Sequence, residues 1–197
     1  RRHSFPTRRS SDLTISANSI CSGNSGIVTF NGTPNAIVTF SVDGGFNQTI
    51  TLNSSGSFVL TTPPLTSNST YTLVSISDGV SSAPLTSSAT VVVNSIPNIL
   101  GTIPTTVICN GESSEFQITF NGTAPYTYTY SNGTTTLGPF TTSNNPEIIP
   151  VTPTSTTTYS MLYLSDDNCV GTISGNAQVV VNQLPTATTS GNPSICD

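Results

Sequence analysis

The chain repeats itself, and the length of the repeat limits what it can fold into. Cys21-Ser-Gly23 recurs as Cys109-Asn-Gly111, Tyr71 as Tyr159, and Ser77-Asp78 as Ser165-Asp166. Val91-Val-Val-Asn94 recurs as Val179-Val-Val-Asn182, and Pro97 as Pro185, each pair 88 positions apart. Thr29-Phe-Asn-Gly-Thr33 returns as Thr119-Phe-Asn-Gly-Thr123 at a spacing of 90, so the copies differ slightly in internal length. A third copy begins at Thr186 and breaks off at Cys196-Asp197. Self-similarity at a fixed period makes each copy a structural unit. A unit of this size is large enough to close one small core of its own.

Within each copy the pattern is one of short strands. The first predicts strands over Gly26–Phe30, Ala36–Val42, Thr49–Leu52, Ser57–Thr61, Tyr71–Ser77 and Ala89–Asn94. The second predicts them over Glu115–Phe120, Tyr126–Ser131, Glu147–Val151, Thr157–Ser165 and Ala177–Asn182. Asp43-Gly44, Asn53-Ser-Ser-Gly56, Asn132-Gly133 and Asn144-Asn-Pro146 supply the turns. No stretch keeps a helical period. Short strands at this spacing, in units of 88 residues that come close to the roughly 100 of an immunoglobulin sandwich, imply an all-β fold of tandem immunoglobulin-like antiparallel β-sandwiches. The expected division is 14–97 for repeat 1, 98–185 for repeat 2 and 186–197 for the truncated start of repeat 3. Ser95-Ile-Pro97 and Gln183-Leu-Pro185 read as the joints.

Composition agrees and excludes much chemistry. Only 7% of residues are charged, against roughly 25% in ordinary domains. The four basic residues are Arg1, Arg2, Arg8 and Arg9, and the single histidine is His3. From Thr14 onward there are eight acids and no Lys, Arg or His. No serine there has a basic partner to activate it. No zinc spacing or phosphate loop with its lysine occurs. Nothing basic remains to displace the counterions of a nucleic acid. The expectation is therefore no enzyme, no cofactor, no nucleic-acid partner and no membrane span in this stretch.

The first thirteen residues stand apart from the rest. His3 to Leu13, HSFPTRRSSDL, resembles the translation of a short-read sequencing adapter. Residues 1–13 are expected to be disordered and foreign to the protein, with its natural beginning elsewhere. The segment has no apolar run of the kind a secretory signal needs.

Ile108-Cys-Asn-Gly-Glu-Ser113, Thr123-Ala-Pro-Tyr-Thr127, Thr154-Ser-Thr-Thr-Thr-Tyr159 and Ser165-Asp-Asp-Asn-Cys169 are more specific. They resemble the tandem Ig-like or PKD-like repeats of large Bacteroidota surface proteins, of the gliding-motility and type IX secreted adhesin kind. The resemblance covers residues 14–197 and is clearer in the second copy. In the first, Asp78-Gly-Val80 replaces Asp-Asn-Cys. It implies export, cell-surface or extracellular display, and a stalk or adhesin role among neighbouring repeats of the same chain. Two other roles stay open: a glycan- or protein-binding adhesion module using hairpin loops, and an accessory domain of a secreted hydrolase.

Individual residues can be weighed on the same basis. Tyr71 and Tyr159 open the strand before the last hairpin and fit a structural tyrosine corner, whose hydroxyl ties the crossover to nearby backbone. Tyr126, Tyr128 and Tyr130 share one strand face. They are either a stacking platform for sugar rings or core, and alignment with Ala36, Val38 and Phe40 favours core. Asp166, Asp167 and Asn168 could offer oxygens to Ca²⁺, but three adjacent residues do not complete a shell of six to eight, so a hairpin turn is favoured. Glu112, Glu115, Glu147 and Asp166-Asp167 are candidate carboxylates for a glycosidase, but no spacing pairs them across a sugar, and solvated acids that keep the surface soluble are favoured. Similar repeats often carry both Cys109 and Cys169, which implies a bridge between them. The predicted strand order puts the two near opposite ends of the sandwich, beyond the roughly 7 Å a bridge allows. Cys21 has no partner in its own copy. Sequons begin at Asn31, Asn47, Asn53, Asn68, Asn121 and Asn132 and read as accidents of a Thr- and Asn-rich chain.

Overall fold

A computed structural model describes residues 12–100 and 105–188. The adapter-like segment before Asp12 and the start of the third copy beyond residue 188 lie outside the described residues. The chain falls into two compact units, divided between Ile96 and Pro97.

The first unit contains β1 (Thr14–Ala17), β2 (Ser19–Cys21), β3 (Ser25–Asn31), β4 (Ile37–Val42), β5 (Asn47–Thr51), β6 (Ser57–Pro64), β7 (Ser69–Ser77), β8 (Ser82–Pro84) and β9 (Ser88–Asn94). One sheet has the order β1-β3-β6; the other runs β2-β9-β7-β4-β5, with β8 added to β7. All pairings are antiparallel except β2 with β9. The second unit contains β10 (Asn98–Leu100), β11 (Thr106–Cys109), β12 (Ser114–Asn121), β13 (Tyr126–Ser131), β14 (Thr136–Thr142), β15 (Glu147–Val151), β16 (Thr157–Ser165) and β17 (Asn176–Asn182). Its sheets, β10-β12-β15 and β11-β17-β16-β13-β14, repeat the same plan. The fold is that of tandem immunoglobulin-like β-sandwiches, as the spacing of turns predicts.

Alternation decides which side chains go inside. On β3, Gly26, Val28 and Phe30 point into the core; on β12, Phe116, Ile118 and Phe120 do the same. Each unit has its own apolar cluster, built around Phe30, Phe40, Leu52 and Leu73 in the first and Phe116, Phe120, Tyr128 and Leu164 in the second. Full burial of one such side chain contributes about 1.5–3 kcal/mol. Gly26 and Phe116 occupy matching positions for different reasons. A Cβ on Gly26 would lie 2.5 Å from a Val91 methyl. Phe116 instead packs on Tyr159, at 5.2 Å between ring centres, and on Tyr130 at 5.8 Å. Both copies carry the same register shift, between Thr39 and Phe40 and between Thr129 and Tyr130.

The predicted strand set misses β1, β2, β8, β10, β11 and β14. Most are only three or four residues long, and their pairing comes from neighbours distant in sequence rather than from their own pattern. Two boundary residues also differ from expectation. Leu13, placed in the disordered segment, is buried in the first core; it is the apolar residue leading into β1 and lies against Gly32. Pro97, placed at the end of the first copy, is fully buried within the second unit, where its carbonyl accepts the Thr172 N–H at 2.9 Å.

Candidate functional site

From Thr14 onward the sequence has no base, and the carboxylates there take their hydrogen bonds from N–H and O–H groups that organise the loops. Asp43 and Gly44, with φ of 51° and 73°, form the turn between β4 and β5, a conformation matching hairpin twist. Asp43 Oδ1 accepts the Thr70 N–H at 2.7 Å and Oδ2 the Ser69 hydroxyl at 3.0 Å, fastening this hairpin to the start of β7. Asp78 accepts the Val80 and Ser81 N–H groups at 2.9 and 2.8 Å. Those bonds, that from Ser81 foremost, hold its carboxyl below the usual aspartate range. Glu112 Oε2 accepts the Cys109 N–H at 2.8 Å.

Asp166 does more than its counterpart Asp78. Its Oδ1 accepts the Asn168 and Cys169 N–H groups at 2.9 and 2.7 Å, and its Oδ2 reaches Thr123 N–H at 2.9 Å. It therefore staples the hairpin after β16 to the loop between β12 and β13. Both oxygens are occupied by backbone donors, as a turn requires. Among the described residues no three His, Cys, Asp or Glu side chains gather where they could hold a metal ion. Asp167 donates its backbone N–H to the Thr123 carbonyl.

Tyr126, Tyr128 and Tyr130 are buried in the second core, as Ala36, Val38 and Phe40 are in the first. No ring face is left as a sugar platform. Two hydroxyls have partners: Tyr126 donates to the Gly122 carbonyl at 3.0 Å and Tyr128 to Glu147 Oε1 at 3.2 Å. Glu147 Oε2 also accepts from Thr142 Oγ1 at 2.8 Å and Asn144 Nδ2 at 3.1 Å. Because Tyr128 belongs to one sheet and Glu147 to the other, this is a clasp across the open side of the sandwich. Burial above all, then the Glu147 charge, raises the Tyr128 phenol above its ordinary value. Burial raises Tyr130 and Tyr159 likewise. Glu115 is exposed on β12, opposite Pro150. The hydrogen bonds of Glu112, Glu147 and Asp166 go to turn and loop groups and to the Tyr128 hydroxyl.

Two sequence readings need correction. Tyr71 and Tyr159 stand where a tyrosine corner would, but neither hydroxyl has a hydrogen-bond partner among the described residues. The rings pack instead, Tyr71 on Phe40 at 6.2 Å and Tyr159 on Phe116. The crossover is tied three residues earlier: Asn68 Oδ1 accepts the Val93 N–H at 2.7 Å, and Thr156 Oγ1 the Val181 N–H at 3.1 Å. Those residues also lie 88 apart, so the repeat held the signal, but Asn and Thr are too frequent in this chain to stand out. The Cys109–Cys169 bridge is not formed. Cys109 is exposed with a free thiol, whereas Cys169 is buried and disulfide-bonded. Cys109 pairs with Asn182, at the end of the sheet where β16 begins, while Cys169 follows the other end of β16. At about 3.3 Å per residue, nine residues of strand separate those ends by far more than a disulfide spans.

The terminal strands set how the units are threaded. The chain enters the first unit at Thr14, paired with Asn31, and runs in one direction through β1 and β2 to Cys21. Asn18 moves it from one sheet to the other, its Oδ1 accepting the Ile27 N–H at 2.7 Å. The last strand then leaves beside the second, Asn94 against Cys21, in parallel. Arrival and departure are thus separated by seven residues of strand, about 23 Å. In the second unit β11 and β17 pair in parallel in the same way, Cys109 beside Asn182.

These features define a class of fold, tandem immunoglobulin-like β-sandwich domains, in which acids hold the loops. No protein-family model matches the chain, and no curated protein matches it. Among solved structures it is similar to a three-immunoglobulin segment of titin carrying an E-to-A mutation. That likeness has 16% identity and a TM-score of 0.62, covering 87% of this chain and 65% of that one. It is also similar to an I-band fragment of titin, at 15% identity and a TM-score of 0.49 over 88% of this chain and 64% of that one. Tandem Ig repeats of Dlar align at 13% identity and a TM-score of 0.35, covering 87% and 96% respectively. At such identities the likeness to titin is one of fold alone. No helix among the described residues is long and apolar enough to cross a membrane.

Proposed function

We propose that this chain is a non-catalytic spacer from the repeat region of a large secreted or surface-anchored bacterial adhesin-like protein. The observation that carries the reading is the threading of each unit, in at one end and out at the other along a parallel terminal pair. Units joined this way project whatever lies beyond them. A pull on both ends of a unit runs along β2 and β9, or β11 and β17, so their hydrogen bonds share the load in shear instead of opening one at a time. The carboxylate staples fasten the loops without offering a reactive group.

Extending the whole chain by single-molecule force spectroscopy tests this. Two abrupt unfolding events are expected, each releasing one unit of about 80–90 residues at roughly 3.3–3.6 Å per residue. Gradual extension at low force would refute a load-bearing role. Surface display is tested separately, with antibody raised against residues 14–188. Labelling of intact cells that carry the gene is expected; labelling only after permeabilisation would refute it.

A further inference from the structure

Cys21 and Cys109 hold the same position in two copies, yet their chemistry differs. Each follows an isoleucine at the end of a short strand, β2 or β11, and pairs in parallel with the asparagine that closes the last strand, Asn94 or Asn182. The next residue continues the match: Ser22 N–H donates to the Asn94 carbonyl at 2.8 Å, and Asn110 N–H to the Asn182 carbonyl at 2.9 Å. Cys21, however, is half-buried and disulfide-bonded, whereas Cys109 is exposed with a free thiol. Ile195-Cys196 repeats the dipeptide a third time. The site is the same in both described copies, so what Cys109 lacks is a partner.

The second unit shows where such a partner stands. Cys169 is also disulfide-bonded, and its hairpin lies where the chain enters the unit. Thr172 N–H donates to the Pro97 carbonyl at 2.9 Å, and a Cβ on Gly171 would come within 2.5 Å of that same oxygen. Asp166 Oδ1 fixes the Cys169 N–H at 2.7 Å. Cys109 lies at the other end, beside Asn182, where the chain leaves. Within one unit the length of β16 keeps the exit cysteine from the hairpin cysteine. The joint after Asn182 brings the two kinds together. Asn182 and Pro185, the counterpart of Pro97, are three residues apart, at most about 11 Å. The hairpin of a following copy therefore stands beside the end of β17, where Cys109 is, and a disulfide bridges Cα atoms up to about 7 Å apart.

We propose that Cys109 is an inter-copy disulfide site, its partner the hairpin cysteine of the following copy, at the position Cys169 holds in the second. The two thiols give up two protons and two electrons and form one S–S bond; a disulfide oxidant takes up both and is reduced to two thiols. The bond spans the joint outside the main chain, so a cut in Gln183-Leu184-Pro185 would not part the copies. The inference rests on the surface reading only for its oxidising surroundings.

The test compares the full chain with an extended one, in which a second copy of residues 98–185 follows Pro185. Each unit closes a core of its own, so the added copy brings a folded hairpin. Both chains are equilibrated with glutathione and glutathione disulfide, desalted, treated with iodoacetamide without denaturant, and mapped as peptides without reduction. In the full chain Cys109 is expected to take the label and Cys21 to escape it. In the extended chain the first Cys109 should be labelled at least about tenfold more slowly and be found bonded to the added hairpin cysteine. Cys169→Ser in the added copy alone should restore its labelling. Equal labelling of Cys109 in both chains overturns the proposal. So does a bond from Cys109 to Cys196, or to Cys109 of another chain. Because the buffer supplies the oxidant, failure here is distinct from failure of the surface reading. Circular dichroism checks that the added copy folds. If it does not, the gene beyond residue 197 carries the test: a cysteine is expected about 60 residues after Cys196, the spacing of Cys109 and Cys169. A serine in that place, as at Ser81 in the first copy, overturns the proposal.

Discussion

The clasp between Tyr128 and Glu147 makes a quantitative prediction, because the first unit contains its apolar replacement. Val28 pairs with Leu60 where Ile118 pairs with Glu147, and Val38 stands where Tyr128 does. Replacing Glu147 by Leu leaves the Tyr128 hydroxyl, on a side chain 3% exposed, without its acceptor. Stranding a buried polar group costs about 1–3 kcal/mol. The half-buried Thr142 and exposed Asn144 turn to water and add little. Glu147→Leu alone should therefore destabilise the second unit by about 2 kcal/mol. Tyr128→Phe together with Glu147→Leu should return to within about 1 kcal/mol of the parent, since removing both partners strands nothing. Urea unfolding followed by tyrosine fluorescence measures this well: five of the six tyrosines lie in the second unit and the chain has no tryptophan. A double variant that loses the sum of both single effects, showing no coupling, would refute the clasp. So would a Glu147→Leu variant indistinguishable from the parent.

Three further outcomes follow from the same geometry. Asn68→Ala and Thr156→Ala should each cost about 1 kcal/mol in urea unfolding, whereas Tyr71→Phe should cost less than about 0.5 kcal/mol, because its hydroxyl has no partner among the described residues; the reverse order would restore the tyrosine corner. Tyr128, Tyr130 and Tyr159 have folded pKa values above their unfolded ones, so the stability they confer is complete below about pH 10 and is lost as pH rises through the raised values. An absorbance titration should show them ionising late, together with unfolding of the second unit, and early ionisation of all the tyrosines would contradict this. Asp78 is shifted the opposite way, so its hold on the loop after β7 should persist above the ordinary value of 3.8 and disappear as pH falls below it. A drop in amide-exchange protection at Val80 and Ser81, measured against the intrinsic rate at each pH, reads this out, and unchanged protection would count against it.

Much was legible in the chain before any coordinate. The 88-residue period sets the number of units, the turn residues set where strands stop, and alternation along Tyr126–Ser131 puts the three tyrosines on one face. Matching that strand to Ala36, Val38 and Phe40 marks the face as core, because a strand's period of two is a local property. The lack of bases after residue 13 is likewise read by count alone. What required tertiary structure was every statement about which distant strands meet. Short β1 and β2 have no pattern of their own and exist through β3 and β9. A tyrosine at the right place in a strand gains a hydroxyl partner only if a carbonyl lies within reach: Tyr126 has one and Tyr71 does not. Cys109 and Cys169 share a unit yet belong to opposite ends of its sheet. Side-chain direction and residue chemistry are written locally, whereas strand pairing is non-local and is decided only when the sheets assemble.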